Sequence, residues 1–264
     1  RKRLVIVCSN VTSTMPASSM LSSDRLFPGN TRSTTACVNR GIPKPNRLSN
    51  NEATSASANR GRCGRRIGQK RLRGGTLFSS APNCAVGMTC AKLGEAEVLV
   101  DHGIDNVLIA NQVVGSVKVQ RLVRLAKRAM ITVAVDHIDQ VKAISQAAVE
   151  AGAIVSLLIE VDIGMGRCGL PPGLAVLDLA QQILQLPAVR LIGLQAYEGH
   201  LVNVLDRAQR RTQSQAAMQL AVDTRRLLES NGIPLSCISG CSSATYDSTG
   251  VMDGVDEIQA GTYS

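Results

Sequence analysis

From residue 85 onward, short apolar runs alternate with segments whose apolar residues recur every three or four positions, the signature of strands exchanging with amphipathic helices. Val86–Cys90, Asn106–Asn111, Ile131–Asp136, Val155–Ile163 and Leu191–Tyr197 read as strands. Between and after them, helices are predicted over Lys92–His102, Ser116–Arg128, Ile138–Ala151, Leu174–Leu186 and Val204–Ser230. Cys237–Ser242 and Glu257–Tyr263 close the series as strands. Such alternation implies βαβ units and a parallel sheet. No Gly-x-Gly-x-x-Gly follows the first strand, so the pattern favours an α/β fold of the (β/α)8 TIM-barrel type over a dinucleotide fold. Residues 85–264 supply seven strands, so the barrel is expected to be incomplete at its N-terminal strand, with apolar edges left unpaired.

Residues 1–84 show no comparable pattern, and the charge divides at the same place. The whole chain of 264 residues carries a formal net charge of +9. Residues 1–84 hold 15 Lys and Arg against the two acids Asp24 and Glu52, a net of +13, whereas residues 85–264 hold 14 against 18, a net of −4. Two organisational units follow: a basic, patternless segment 1–84 and a partial barrel 85–264. The stretch 49–66 is rich in Ser, Asn, Arg and Gly and offers no apolar face, which is the composition of a solvated or disordered segment. Its alternative reading is a basic arm that binds nucleic acid through Arg60, Arg62, Arg65, Arg66, Lys70, Arg71 and Arg73, but no aromatic is interleaved with this cluster until Phe78 and no fold motif accompanies it, so no nucleic-acid partner is expected. The apolar run after Arg1-Lys-Arg is five residues, too short for a signal peptide. No run approaches the roughly 18 apolar residues of a spanning helix, so no membrane partner is expected. The eight cysteines form no Cys-x-x-Cys pair, and the later four sit beside strand-like runs as buried thiols do, which points to a reducing cytoplasm.

Chemistry gathers where a barrel carries it, at the carboxyl ends of strands. Glu160-Val-Asp-Ile-Gly-Met-Gly-Arg-Cys-Gly169 places two acids, three glycines and Arg167 just past an apolar strand. Gly193-Leu-Gln-Ala-Tyr-Glu-Gly-His200 sets Tyr197, Glu198 and His200 at the next strand end. Ser239-Gly-Cys-Ser-Ser-Ala-Thr245 and Gln259-Ala-Gly-Thr-Tyr263 offer hydroxyls and amides where barrels bind phosphate.

These motifs resemble the fold-type III pyridoxal-phosphate enzymes, whose prototype is alanine racemase. With Gly87-Met-Thr-Cys-Ala-Lys-Leu-Gly-Glu-Ala-Glu-Val and Asp101-His-Gly-Ile-Asp-Asn-Val-Leu-Ile-Ala-Asn, they are similar to the D-threonine aldolase and D-serine dehydratase branch over residues 85–264. The resemblance implies a pyridoxal 5'-phosphate cofactor and a small D-3-hydroxy amino acid substrate. It implies that Arg167 bonds the cofactor's phenolic oxygen and Tyr197 lies against its ring. Ser242, Ser243, Gly261 and Thr262 hold its phosphate, and Gln259 stands where racemases place an Arg against the ring nitrogen. That neutral residue argues for the lyase branch over a racemase. A Schiff-base Lys belongs on the first barrel strand. Lys70 is the lysine near the right distance, yet no apolar strand precedes it and no His flanks it. Lys92, Lys118, Lys127 and Lys142 fall on predicted helices.

The branch also implies a homodimer and a divalent metal. Its metal ligands lie in a C-terminal β domain that this chain is expected to lack, so His102, His137 and His200 are not inherited ligands. His200 is placed at the site mouth. The segment before residue 85 has the length of the family's missing portion and the composition of an out-of-frame reading. The chain is therefore expected to be either a lyase of this branch or a catalytically dead barrel fragment without its Schiff-base Lys.

Overall fold

The structure is a computed structural model and describes residues 3–8 and 85–261, the first of these as a backbone strand only. Among the described residues it forms eight strands: β1 (Arg3–Cys8), β2 (Ala85–Cys90), β3 (Asn106–Gln112), β4 (Met130–Val135), β5 (Val155–Val161), β6 (Val189–Ala196), β7 (Cys237–Gly240) and β8 (Glu257–Ala260). Five α-helices lie between them: α1 (Leu93–Asp101), α2 (Ser116–Ala126), α3 (Ile138–Ala151), α4 (Leu174–Ile183) and α5 (Arg207–Ser230). All neighbouring strands pair in parallel, and the order β1 to β8 closes on itself as a barrel.

The closure corrects one expectation. Arg3–Cys8, set aside as too short an apolar run, pairs with β2 from Leu4↔Ala85 to Cys8↔Cys90 and with β8 from Arg3↔Glu257 to Ile6↔Ala260. The first barrel position is therefore filled, and β2 and β8 have no open edge. The physical reason is that a six-residue apolar strand is sufficient to close a sheet whose neighbours already present unpaired backbone groups. Residues 9–84, with Lys70 and the basic cluster, lie outside the described residues.

Alternation along the strands sorts their side chains. One set, including Val107, Ile109, Ile131, Val133, Leu157 and Ile159, packs in the main core with helix residues such as Leu122, Ile144 and Ile183. Leu108, Leu158 and Cys237, from β3, β5 and β7, form a separate cluster, as one interior layer built by alternate strands does. Helix starts follow local chemistry. Glu95 Oε2 accepts from the Ala91 and Lys92 amides at 3.0 Å each, which fixes the first turn of α1. Asp206 accepts from the Gln209 amide at 2.6 Å, so α5 begins at Arg207 rather than at Val204. Before it, Gly199–Leu201 makes a single 3-10 turn.

Strands β6 and β7 approach so closely that only glycine fits at two positions. A Cβ on Gly193 would overlap the Cys237 carbonyl oxygen, and one on Gly240 would overlap that of Ala196. Gly94, in the first turn of α1, has nothing nearer than 3.9 Å to its would-be Cβ. Gly193→Ala or Gly240→Ala should therefore destabilise the barrel by about 2–3 kcal/mol in urea unfolding. Gly94→Ala should leave stability unchanged or raise it by up to ~1 kcal/mol; equal losses at all three would contradict this packing.

Candidate active site

The β5 end is built around two carboxylates. Asp162 folds the glycine turn over itself, accepting from the amides of Gly164 at 3.0 Å and Gly166 at 3.0 and 3.1 Å. The backbone returns at Leu170, whose amide donates to the Glu160 carbonyl at 2.9 Å, while Asp162 N–H donates to the Leu170 carbonyl at 2.9 Å. Gly169, at φ +102, sits where a Cβ would press on the backbone of Glu160, Val161 and Asp162. Those glycine amides hold the Asp162 carboxyl below its ordinary range. Glu160 points the other way, into the barrel. Its Oε2 accepts from Gln112 Nε2 at 2.6 Å, and Gln112 also donates to Asp136 Oδ2 at 3.0 Å. Asp136 Oδ2 receives the Gly169 amide at 3.1 Å. Burial pushes the Glu160 carboxyl up, partly offset by the Gln112 hydrogen bond and the Arg167 charge, while the Asp136 charge adds to the rise.

Arg167 crowns this cluster. Its Nη2 lies 3.7 Å from Glu160 Oε1, and its guanidinium carbon lies 5.7 Å from the centre of the Tyr197 ring. The Arg167 side chain is half exposed, so its fork is available to a ligand. A cavity of ≈ 140 Å³ opens beside it, lined by Asn111, Gln112, Glu160, Arg167 and Cys168 among others. Tyr197 is half-buried, and burial pushes its phenol up, aided by the Glu198 charge and opposed by Arg167. His200 is exposed on the 3-10 turn after β6, with its Nε2 3.1 Å from the position a Cβ on Gly164 would take.

On the other side of the mouth, β6, β7 and β8 share a second polar cluster. Gln259 Nε2 donates to Gln195 Oε1 at 2.8 Å and to Ser239 Oγ at 2.9 Å, all three residues being buried. Both amide protons of Gln259 are thus engaged, and its Oε1 has one long contact, 3.5 Å from Gln195 Nε2. Beyond β7 the chain turns over residues 241–254. Ser243 Oγ accepts from the Gly261 amide at 3.0 Å, which brings two of the phosphate candidates together. Ser242 is buried and turned inward, its Oγ 3.0 Å from Thr245 Oγ1 and accepting from the Ala244 amide at 3.2 Å. Thr262 and Lys70 lie outside the described residues.

The structure therefore gathers Arg167 with Tyr197 on one side, and Ser243 with Gly261 on the other. Gln259 lies inside the barrel between its own partners. Gln112 and Asp136 were not singled out in the sequence, although each is the polar residue that ends an apolar strand. Lys92, assigned to a helix by periodicity, instead precedes α1, two residues past β2, and is exposed. A larger cavity of ≈ 340 Å³ lies beneath α5, away from the strand carboxyl ends. Its Arg225 is committed to Glu229, Asp256 and the carbonyls of Leu235 and Gly254, which makes it a structural clamp. Among the described residues no three His, Cys, Asp or Glu converge as a metal site, and no helix is long and apolar enough to cross a membrane.

Residues 76–264 match the family described as alanine racemase, N-terminal domain. The chain is 38% identical over 180 residues to a D-threonine aldolase of Arthrobacter sp, covering 68% of this chain and 48% of that protein. It is 32% identical over 181 residues to a 3-hydroxy-D-aspartate aldolase of Paracoccus denitrificans, covering 68% and 47%. The crystal structure of D-threonine aldolase from Filomicrobium marinum superposes with a TM-score of 0.67 at 37% identity, covering 68% of this chain and 48% of that one. D-threo-3-hydroxyaspartate dehydratase from Delftia sp. HT23, at 23% identity and a TM-score of 0.63, shares the fold, again over 68% and 48%. The chain thus spans about half the length of the curated relatives it matches.

The two carboxylates of the β5 end should respond to pH with opposite signs. Glu160 holds its proton more tightly folded than unfolded, so its contribution is lost as pH rises from about 4.3 through its raised value. Asp162 is the reverse: its contribution is present above about 3.9 and lost as pH falls through its lowered value. Melting temperatures measured across the acid range should show Glu160→Gln flattening the decline toward neutral pH. Asp162→Asn should lower stability at neutral pH and flatten the acid loss. The same change in slope for both variants would contradict these assignments.

Proposed function

The chain belongs to the alanine racemase N-terminal domain family of fold-type III pyridoxal-phosphate enzymes, and on that premise we propose that it is the barrel of a lyase acting on D-3-hydroxy amino acids. The observation that carries this reading is the pairing of the exposed Arg167 fork over Tyr197 with the Ser243–Gly261 contact across the same mouth.

The donor set suits pyridoxal phosphate. The Ser243 hydroxyl, held by the Gly261 amide, suits a phosphate ester as a neutral group, and the Arg167 guanidinium suits an anionic phenolic oxygen. One buried oxygen on β2, Thr89 Oγ1, has no partner among the described residues, as expected beside a ligand site. Once bound, the cofactor supplies an electron sink for the bonds at the substrate's α-carbon.

The chain's own residues set how that sink behaves. Glu160, itself held by Gln112, keeps the Arg167 fork at the mouth of the 140 Å³ cavity. Tyr197 presents a flat face, and its raised phenol stays protonated at neutral pH. Gln259 offers no fixed charge and has both amide protons engaged, so it supplies neither a carboxylate that would hold a proton on the ring nitrogen nor a guanidinium that would oppose one. His200, exposed beside the Gly164 turn, borders the mouth.

A barrel that holds the cofactor without turnover is the second reading. It is favoured by one observation: the described lysines sit on helices or their caps, at 92, 118, 127 and 142.

Incubation with pyridoxal phosphate and D-threonine or D-3-hydroxyaspartate distinguishes the two. The lyase reading expects a visible absorption band that borohydride bleaches. It also expects glycine with acetaldehyde from D-threonine, or glycine with glyoxylate from D-3-hydroxyaspartate, if the Cα–Cβ bond is cleaved, or ammonia with a 2-oxo acid if water is lost, from the D but not the L isomers. Arg167→Met should lower kcat/KM by about 100-fold, on the order of 3 kcal/mol. Cofactor binding without a bleachable band or products would establish the non-catalytic reading instead.

A further inference from the structure

Glu198 follows Tyr197 at the end of β6 and is fully buried. Its Oε1 accepts from Thr245 Oγ1 at 2.6 Å and from Thr249 Oγ1 at 2.7 Å. Its Oε2 is buried with no hydrogen-bond partner among the described residues. Folding alone does not call for a carboxylate here. Burying a charged group with one oxygen unanswered is unfavourable relative to an apolar residue of similar size. Thr249 also reaches a backbone acceptor, the Thr245 carbonyl at 3.1 Å.

What a carboxylate supplies is direction, because it accepts hydrogen bonds and donates none. The single proton of the Thr245 hydroxyl goes to Glu198. Both lone pairs of Thr245 Oγ1 are then left to accept, and two donors meet them: the Ser242 amide at 3.0 Å and the Ser242 hydroxyl at 3.0 Å. The Ser242–Thr245 hydroxyl pair, ambiguous by geometry, is thereby set with Ser242 donating. Ser242 Oγ in turn accepts from the Ala244 amide at 3.2 Å. The relay runs from the turn into the carboxylate at every step. It also holds a turn whose entry residue, Cys241, adopts φ +67, a conformation that a non-glycine residue takes at a cost. Ser243, enclosed by this relay, is the residue whose hydroxyl meets the Gly261 amide.

We propose that Glu198 is a positioning residue that fixes the hydrogen-bond direction of the β7–β8 turn, and so the shape in which Ser243 and Gly261 receive a phosphate. The proposal rests on the pyridoxal-phosphate reading of the mouth. It adds to that reading a residue that touches neither phosphate nor ring. It also reverses a simple electrostatic expectation. Removing a buried negative charge near an anion site should strengthen anion binding, whereas removing a positioning carboxylate should weaken it. An amide at 198 keeps the size of the side chain but donates as well as accepts, so the relay loses its direction.

The test compares full-length wild type with Glu198→Gln, Thr245→Val, Thr245→Ser and the Glu198→Gln/Thr245→Val double variant. Equilibrium affinities are measured for pyridoxal phosphate, for pyridoxal, which lacks the phosphate, and for inorganic phosphate. Thermal melts identify variants that remain folded. Glu198→Gln and Thr245→Val should each weaken pyridoxal phosphate and phosphate by about tenfold or more, with pyridoxal unchanged. The double variant should lose little more than either single one, and Thr245→Ser should resemble wild type. Tighter or unchanged phosphate binding by Glu198→Gln would overturn the proposal, as would an equal loss for pyridoxal.

Amide hydrogen exchange at Ser242 and Ala244 gives a readout that needs no cofactor. It should accelerate in Glu198→Gln and Thr245→Val. If wild type binds neither phosphate compound, the pyridoxal-phosphate reading fails. Glu198 is then judged on exchange alone: acceleration retains it as the determinant of the turn, and unchanged exchange removes that role too.

Discussion

Closure of the parallel sheet is the constraint on which the rest of this molecule depends. A parallel strand satisfies its backbone only with a neighbour on each side, and β2 and β8 obtain theirs from β1. With the ring closed, register decides which side chains share a level. Glu160 pairs with Gln195, and Gln195 with Ser239, so β5, β6 and β7 deliver polar groups to one height near the carboxyl mouth. On β8 the register partner of Ser239 is Glu257, and Gln259, two residues further on, joins the cluster through its side-chain hydrogen bonds to Gln195 and Ser239. An open sheet of the same sequence would leave these buried amides and carboxyls without a common interior.

The polar interior is divided in a way that matches the chemistry asked of it. Around β3, β4 and β5, Gln112 links Asp136 and Glu160, and the excess negative charge draws Arg167 to the mouth. Around β6, β7 and β8 the partners on the strands are neutral, Gln195, Ser239 and Gln259 satisfying one another through amides and a hydroxyl, while Glu198 past β6 is turned to the hydroxyls of Thr245 and Thr249. An anion entering between the halves meets a cation on one side and neutral donors on the other. Asp162, whose carboxylate faces its own glycine turn, is kept out of that field by the amides of Gly164 and Gly166.

Much of this was legible in the sequence, for identifiable reasons. The helices from Ile138 and the strands from Asn106 and Val155 begin where periodicity placed them, because their apolar positions face one continuous core. Arg167, Tyr197, Ser243 and Gly261 stood out as candidates because each ends or follows an apolar strand in a glycine- or hydroxyl-rich motif, and the structure brings Arg167 to Tyr197 and Ser243 to Gly261. Arg3–Cys8 was not, since its pairing partners lie at Ala85–Cys90 and Glu257–Ala260, and nothing local marks a six-residue run as their neighbour. Gln112 and Asp136 escaped for a related reason. Their significance lies in which distant group they bond, and that follows from register rather than from residue type. Ser242 shows the converse. Its composition suits a phosphate loop, yet its hydroxyl is turned inward to Thr245.

The central claim is that the mouth of this barrel holds a phosphate ester between the β7 turn and β8. Phosphorus NMR of pyridoxal phosphate bound to the chain tests it most directly. A free phosphate monoester titrates with a second pKa near 6, and its resonance shifts accordingly between about pH 5 and 8. The account predicts a bound resonance whose position stays constant over that range, because hydrogen bonds from the β7 turn, where the Gly261 amide holds the Ser243 hydroxyl, favour the dianion. A resonance that titrates like the free ester in the presence of excess protein would contradict it.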